Sequence, residues 1–156
     1  MTAANITFAH LLSSELELTS ALHQLLEQEL AALQEQAIEP LSILQHKKSE
    51  LLQQLQNQSR KRIDWMEQQQ LPQTKECLKR PDFAADDHLQ QQWQQLGESY
   101  EKNQKLSQVL GQIVLTARKR SIDLLNILHG KQNDPHLYNS NGKASGLNQG
   151  LGYTQA

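Results

Sequence analysis

Residues Asp87–His129, DHLQQQWQQLGESYEKNQKLSQVLGQIVLTARKRSIDLLNILH, form the longest proline-free helical pattern in the chain. Leu89, Trp93, Leu96, Tyr100, Leu106, Leu110, Val114, Ala117, Leu124 and Leu128 recur at helical intervals, with Asn103 set among them. Such spacing gathers side chains on one face of a 3.6-residue period. Asp86 or Asp87 is a favourable N-cap, and Gly130 suits the position just past a helix end. At 1.5 Å per residue, ~43 residues reach roughly 65 Å. A compact globule of 156 residues cannot wrap a helix of that length. The expected fold is therefore all-α: an elongated antiparallel bundle of three to four long helices with a flexible C-terminal tail.

The upstream sequence supplies partners for this helix. Leu11, Leu18, Leu22 and Leu25 recur at helical spacing, widened by Leu12, Leu26, Leu30 and Leu33. Glu15, Gln24, Gln28 and Gln34 are placed off that stripe, giving one amphipathic helix over about 6–36. Pro40 disfavours helix at Glu39 but suits a first turn, so it marks a kink or a new start. Leu41, Leu44, Leu51, Leu52 and Leu55 resume the period, Ile63 and Met66 extend it, and Leu71-Pro72 ends it. Between Pro72 and Pro81 the pattern fails, which predicts a loop or a short irregular helix.

After Gly130 the chain turns to Gly, Asn, Ser and Gln, too polar to offset its own ordering entropy by burial. Two regions are expected, a helical bundle over 1–130 and a flexible tail over 131–156. The tail carries one hydrophobic stretch, Leu137-Tyr138-Asn139-Ser140-Asn141-Gly142. Its aromatic ring is either pinned back on the helices or kept free for a partner.

Composition excludes several function classes. The single cysteine, Cys77, rules out an internal disulfide framework and fits a reducing compartment. The N-terminus has neither the basic start of a signal peptide nor an apolar span, so a soluble cytoplasmic protein without membrane insertion is expected. A net charge of −2 gives no electrostatic basis for nucleic-acid binding. Arg60-Lys61-Arg62 and Arg118-Lys119-Arg120 are basic, but three consecutive cations fan out around a helix and suit solvated faces or an acidic protein partner.

No catalytic or metal-binding constellation emerges. His10, His23, His46, His88, His129 and His136 never pair at i,i+4, and none follows a Glu by three. The Glu-x-x-His pairs of di-iron bundles are thus missing, and neither a metal nor any other cofactor is expected. Glu27 and Glu29 diverge on a helix and make no acid–base pair. Cys77 lies between Lys75 and Lys79, which could lower its pKa, but it reads as an incidental loop cysteine. What stands out instead is the apolar late part of the long helix. Leu110, Ile113, Val114, Ala117, Leu124 and Leu128 are the candidate binding face, with Leu115, Ile122, Leu125 and Ile127 alongside. Either the first helix covers this face, or it is left as a groove for a partner helix or a homo-oligomer.

The order of elements resembles the FlgN-like family of flagellar type III export chaperones, which serve hook–filament junction proteins. A leucine-rich helix with Glu27 and Glu29 leads through Ile38-Glu39 to Leu41 and into Lys48-Ser49-Glu50-Leu51-Leu52, similar to the family's K-x-x-L-L. The tail stretch Leu137–Gly142 resembles its L-Y-x-x-x-G. The likeness in layout covers about residues 8–146. It implies a non-enzymatic chaperone that holds the C-terminal helical ends of hook-associated proteins, prevents premature assembly and delivers them to the membrane export gate. By the same resemblance the late third helix meets the client, and Leu137, Tyr138 and Gly142 dock on the gate. A coiled-coil adaptor would show the same helices but have no use for the tail motif, whereas a regulatory interaction protein is the alternative that sequence separates least.

Overall fold

The computed structural model describes residues 2–130, and every regular element within them is helical. They are α1 (Ala3–Gln34), α2 (Ile38–Gln68), a 3-10 turn (Lys75–Lys79), the short α3 (Pro81–Ala84) and α4 (Asp87–Leu128). The protein is thus all-α, with three long helices and one short one among the described residues.

The caps follow from local chemistry. The Thr2 hydroxyl accepts the Asn5 N–H and opens α1 (3.2 Å), and Asp86 accepts the Leu89 N–H to open α4 (3.1 Å). Pro40 falls in the first turn of α2, where its missing N–H costs nothing, so it marks a new start. Both α1 and α2 end without glycine. Gln36 and Gln70 take left-handed conformations at φ 56° and 57°. The Ala37 N–H then bonds to the Ala32 carbonyl (2.9 Å) and the Leu71 N–H to that of Met66 (2.8 Å), closing two Schellman turns.

The chain divides into two compact units, Met1–Leu110 and Gly111–Ala156, the boundary lying within α4. In the first unit α1 is the hub. α2 folds back antiparallel to it, pairing Lys48 with Glu29 and Arg62 with Glu15. α4 then runs parallel to α1, since Ala9 meets Gln92, Glu15 meets Tyr100 and Thr19 meets Asn103 in that order. The buried residues of α1 include Asn5, Phe8, Leu12, Glu15, Thr19, Leu22, Leu26 and Glu29, alternating three and four apart as in a coiled-coil seam.

Two apolar clusters occupy the interior. One joins Phe8, Leu12, Met66, Cys77, Leu78, Phe83, Leu89 and Leu96; the other joins Leu22, Leu26, Leu55 and Leu110. The segment expected as a loop or a short irregular helix therefore contributes core through Cys77 and Leu78. Phe8 stacks on Trp65 (5.2 Å between centroids) and lies 5.3 Å from Phe83. Asn5 fastens this end by donating to the Asp82 carbonyl and the Asp86 carboxylate, each at 2.9 Å. In the second unit the described residues are 111–130, the remainder of α4 and the turn at Gly130 (φ 87°). The expected tail, 131–156, lies outside the described residues.

Candidate functional site

The late part of α4 presents its apolar side chains to solvent. Val114, Leu115, Ile122, Leu124, Leu125, Ile127 and Leu128 are all exposed, from 44% at Val114 and Ile122 to 69% at Leu128. Ala117 is exposed and Ile113 half-buried. Leu110 differs from the rest of the candidate set, being buried among Leu22, Leu26 and Leu55, so it acts as core. At about 100° per residue, Ile113, Val114, Ala117, Leu124, Leu125, Ile127 and Leu128 share an arc of roughly 160°. Leu115 and Ile122 make a second ridge. Exposed apolar area of this extent is uncommon on monomers outside interaction sites.

Sequence reasoning placed Glu15 off the apolar stripe, and the structure corrects this. Glu15 is fully buried and takes the Arg62 Nε (2.5 Å) and a terminal guanidinium nitrogen (3.2 Å) on its two oxygens. The Tyr100 hydroxyl donates to the same carboxylate. Burial, and then the bond to Glu15, push the Tyr100 phenol well above its ordinary range. Arg62 also lies over the Trp93 ring at 5.7 Å. One carboxylate thus ties α1, α2 and α4 together. The available signal was its position seven residues from both Phe8 and Leu22.

The remaining titratable groups are structural. Cys77 is 1% exposed, and its burial pushes the thiol up to about 11, overriding the coulombic pull of Arg62. The neighbouring lysines do not activate it; Lys79 pairs with Glu76 instead. Glu27 and Glu29 do diverge: Glu27 meets His23 at 2.7 Å on the surface, whereas Glu29 is buried against Lys48. Among the described residues no three His, Cys, Asp or Glu side chains converge as metal ligands. A polar groove of about 520 Å³ runs between Ser13, Ser20 and His23 on α1 and Gln95, Glu98 and Lys102 on α4. An apolar cleft of about 500 Å³ lies under the α1–α2 turn, lined by Ala31, Ala32, Ala37, Pro40, Ile43 and Leu44.

The family described as FlgN protein matches this chain over residues 1–146. The chain belongs to the FlgN family. Its members are flagellar export chaperones that bind hook-associated proteins, a chaperone family and not a known enzyme family. No curated protein and no solved structure matches the chain. The fold gives the FlgN K-x-x-L-L motif a physical meaning. Lys48 reaches both oxygens of buried Glu29, at 2.9 and 3.0 Å, and Leu51 packs on the Leu22–Leu26 cluster. Leu52, 45% exposed, is left outside. The matched span includes Leu137, Tyr138 and Gly142, which lie outside the described residues. Among the described residues no helix is long and apolar enough to cross a membrane.

Proposed function

We propose that this flagellar export chaperone works in the cytoplasm, holding the C-terminal helical ends of hook-associated junction proteins and delivering them to the membrane export gate. The client is received on α4 by Ile113, Val114, Ala117, Leu124 and Leu128; Leu110 supports that face from within the core. Leu137, Tyr138 and Gly142 form the docking element for the gate. The observation that carries the client half is the exposed apolar face of residues 113–128. A coiled-coil-prone helix can lay its own apolar seam along such a face, which hides it from premature assembly. A tethered Tyr, apolar in body and polar at the tip, is suited to anchor the loaded complex.

The client half is tested by Ile113→Ser with Val114→Ser. Binding of a hook-associated protein's C-terminal segment is expected to weaken at least tenfold, since each lost apolar contact is worth about 1.5–3 kcal/mol when fully buried. Circular dichroism should stay unchanged; loss of helicity together with binding would make these residues structural. For the gate half, Tyr138→Ala is expected to leave melting temperature and client affinity alone and to weaken gate binding about thirtyfold, the loss of a ~2 kcal/mol anchor. Unchanged gate binding would remove the docking role.

A further inference from the structure

The exposed face of α4 is edged mainly by positive charge. Residues 111–128 hold three cations, Arg118, Lys119 and Arg120, against the single carboxylate Asp123. All four are exposed, and among the described residues none of the three cations makes an ion pair. Their positions around the helix differ. At about 100° per residue, Arg118 falls on one margin of the apolar arc beside Leu125. Arg120 falls on the other, between Ile113 and Ile127. Lys119 points to the opposite side, and the one carboxylate, Asp123, lies about 40° outside the arc beyond Ile127. Two guanidinium groups therefore bracket the apolar seam, while the third cation is turned away from it.

We propose that this face selects an amphipathic helix whose apolar seam is flanked by carboxylates, so that Arg118 and Arg120 read the charge of the client's margins. The proposal rests on the client-binding role given above and adds the chemistry of the client. Apolar burial supplies affinity without direction, whereas flanking charges of opposite sign set partner choice and orientation in paired helices. Arginine suits this use because its planar fork meets carboxylates in bidentate geometry. A second copy of the chain fits less well. Full overlap of the same face, parallel or antiparallel, sets the arginines of one copy beside those of the other, and like charges there oppose pairing.

The test uses the full chain and synthetic amphipathic helical peptides sharing one leucine seam, with Glu, Gln or Lys on both margins. The Glu peptide is expected to bind about tenfold tighter than the Lys peptide at low ionic strength. That gap should shrink at about 0.5 M salt, where the screening length is only a few ångströms. Arg118→Glu with Arg120→Glu should reverse the preference, Arg118→Gln with Arg120→Gln should erase it, and Lys119→Glu should shift it less than twofold. Circular dichroism checks that each variant keeps its helicity. Equal binding of all three peptides by the wild-type chain would overturn the charge reading while leaving an apolar docking face. An equal response to Lys119→Glu would replace margin recognition by a diffuse field and also overturn it. If no peptide binds, the client-binding role of the face falls too. Self-association abolished by Ile113→Ser with Val114→Ser would assign the face to a second copy instead.

Discussion

Within α4 one spacing meets two environments. Leu89, Leu96, Asn103 and Leu110, seven residues apart, are all buried. The same spacing continues through Ala117 and Leu124, and both are exposed. The helix pattern does not change at Leu110; its partners do. In the first unit α1 and α2 supply apolar side chains, together with the Glu15–Arg62 pair that receives the Tyr100 hydroxyl of α4. In the second, among the described residues, the apolar arc faces solvent. Amphipathicity states that a face needs a partner, but not whether that partner belongs to the same chain.

The largest expected effect breaks the first region alone. Arg62→Ala leaves Glu15 buried without its cation and should cost about 3–5 kcal/mol in denaturant unfolding. Replacing both with apolar residues, Glu15→Leu with Arg62→Met, should recover most of that loss. A double variant as unstable as the single would show that the network contributes more than charge compensation.

A leucine scan measures the contrast directly. Leu96→Ala and Leu110→Ala should each cost about 2–5 kcal/mol, whereas Leu124→Ala and Leu128→Ala should stay within about 0.5 kcal/mol and weaken client binding. Equal costs on both sides of Gly111 would erase the distinction.

Next comes the start of α4. The Asn5 amide, and then the Leu89 N–H, hold the Asp86 carboxyl below its ordinary value. The sign follows: stability from this group is present above about pH 4 and is lost as pH falls through the lower folded value. Asp86→Ala should cost about 1 kcal/mol at neutral pH, and that difference should fade in acid titrations. At the alkaline end Cys77 and Tyr100 carry raised values, so their contribution is intact below pH 9 and is lost as pH rises. The native Cys77 thiol should resist alkylating reagents at pH 8 and react only on unfolding.

The smallest effect concerns the two glutamines at positive φ. Gln36→Gly and Gln70→Gly should each stabilise by about 0.5 kcal/mol, because relief of the left-handed conformation exceeds the added unfolded-state entropy. Melting shifts of the opposite sign would mean that the glutamine side chains hold these turns.

Much of this was legible in the sequence. The leucine spacings indicated the long helices, Pro40 a kink or a new start, Asp86 or Asp87 a cap and Gly130 the end of α4, because each acts within a few residues. The 3-10 turn was half-legible: the lost periodicity was visible, but burial of Cys77, Leu78 and Phe83 came from distant contacts with Phe8 and Leu89. Glu15 was misplaced because a charged residue is assigned to solvent by default, and only Arg62, far along the chain, makes its burial tolerable. The ends of α1 and α2 were legible to within a few residues, but the left-handed turns at Gln36 and Gln70 gave no signal, since glutamine has no preference for that region.

The sequence by itself determined which segments are helical and which face of each is apolar, since periodicity and capping are short-range properties of the chain. Only the tertiary structure decided which apolar residues become core. Leu110 and Leu124 are the same residue type on the same stripe of one helix. Leu110 is buried against Leu22, Leu26 and Leu55, while Leu124 is 57% exposed. Burial depends on what other helices bring alongside, a long-range property that no local pattern encodes.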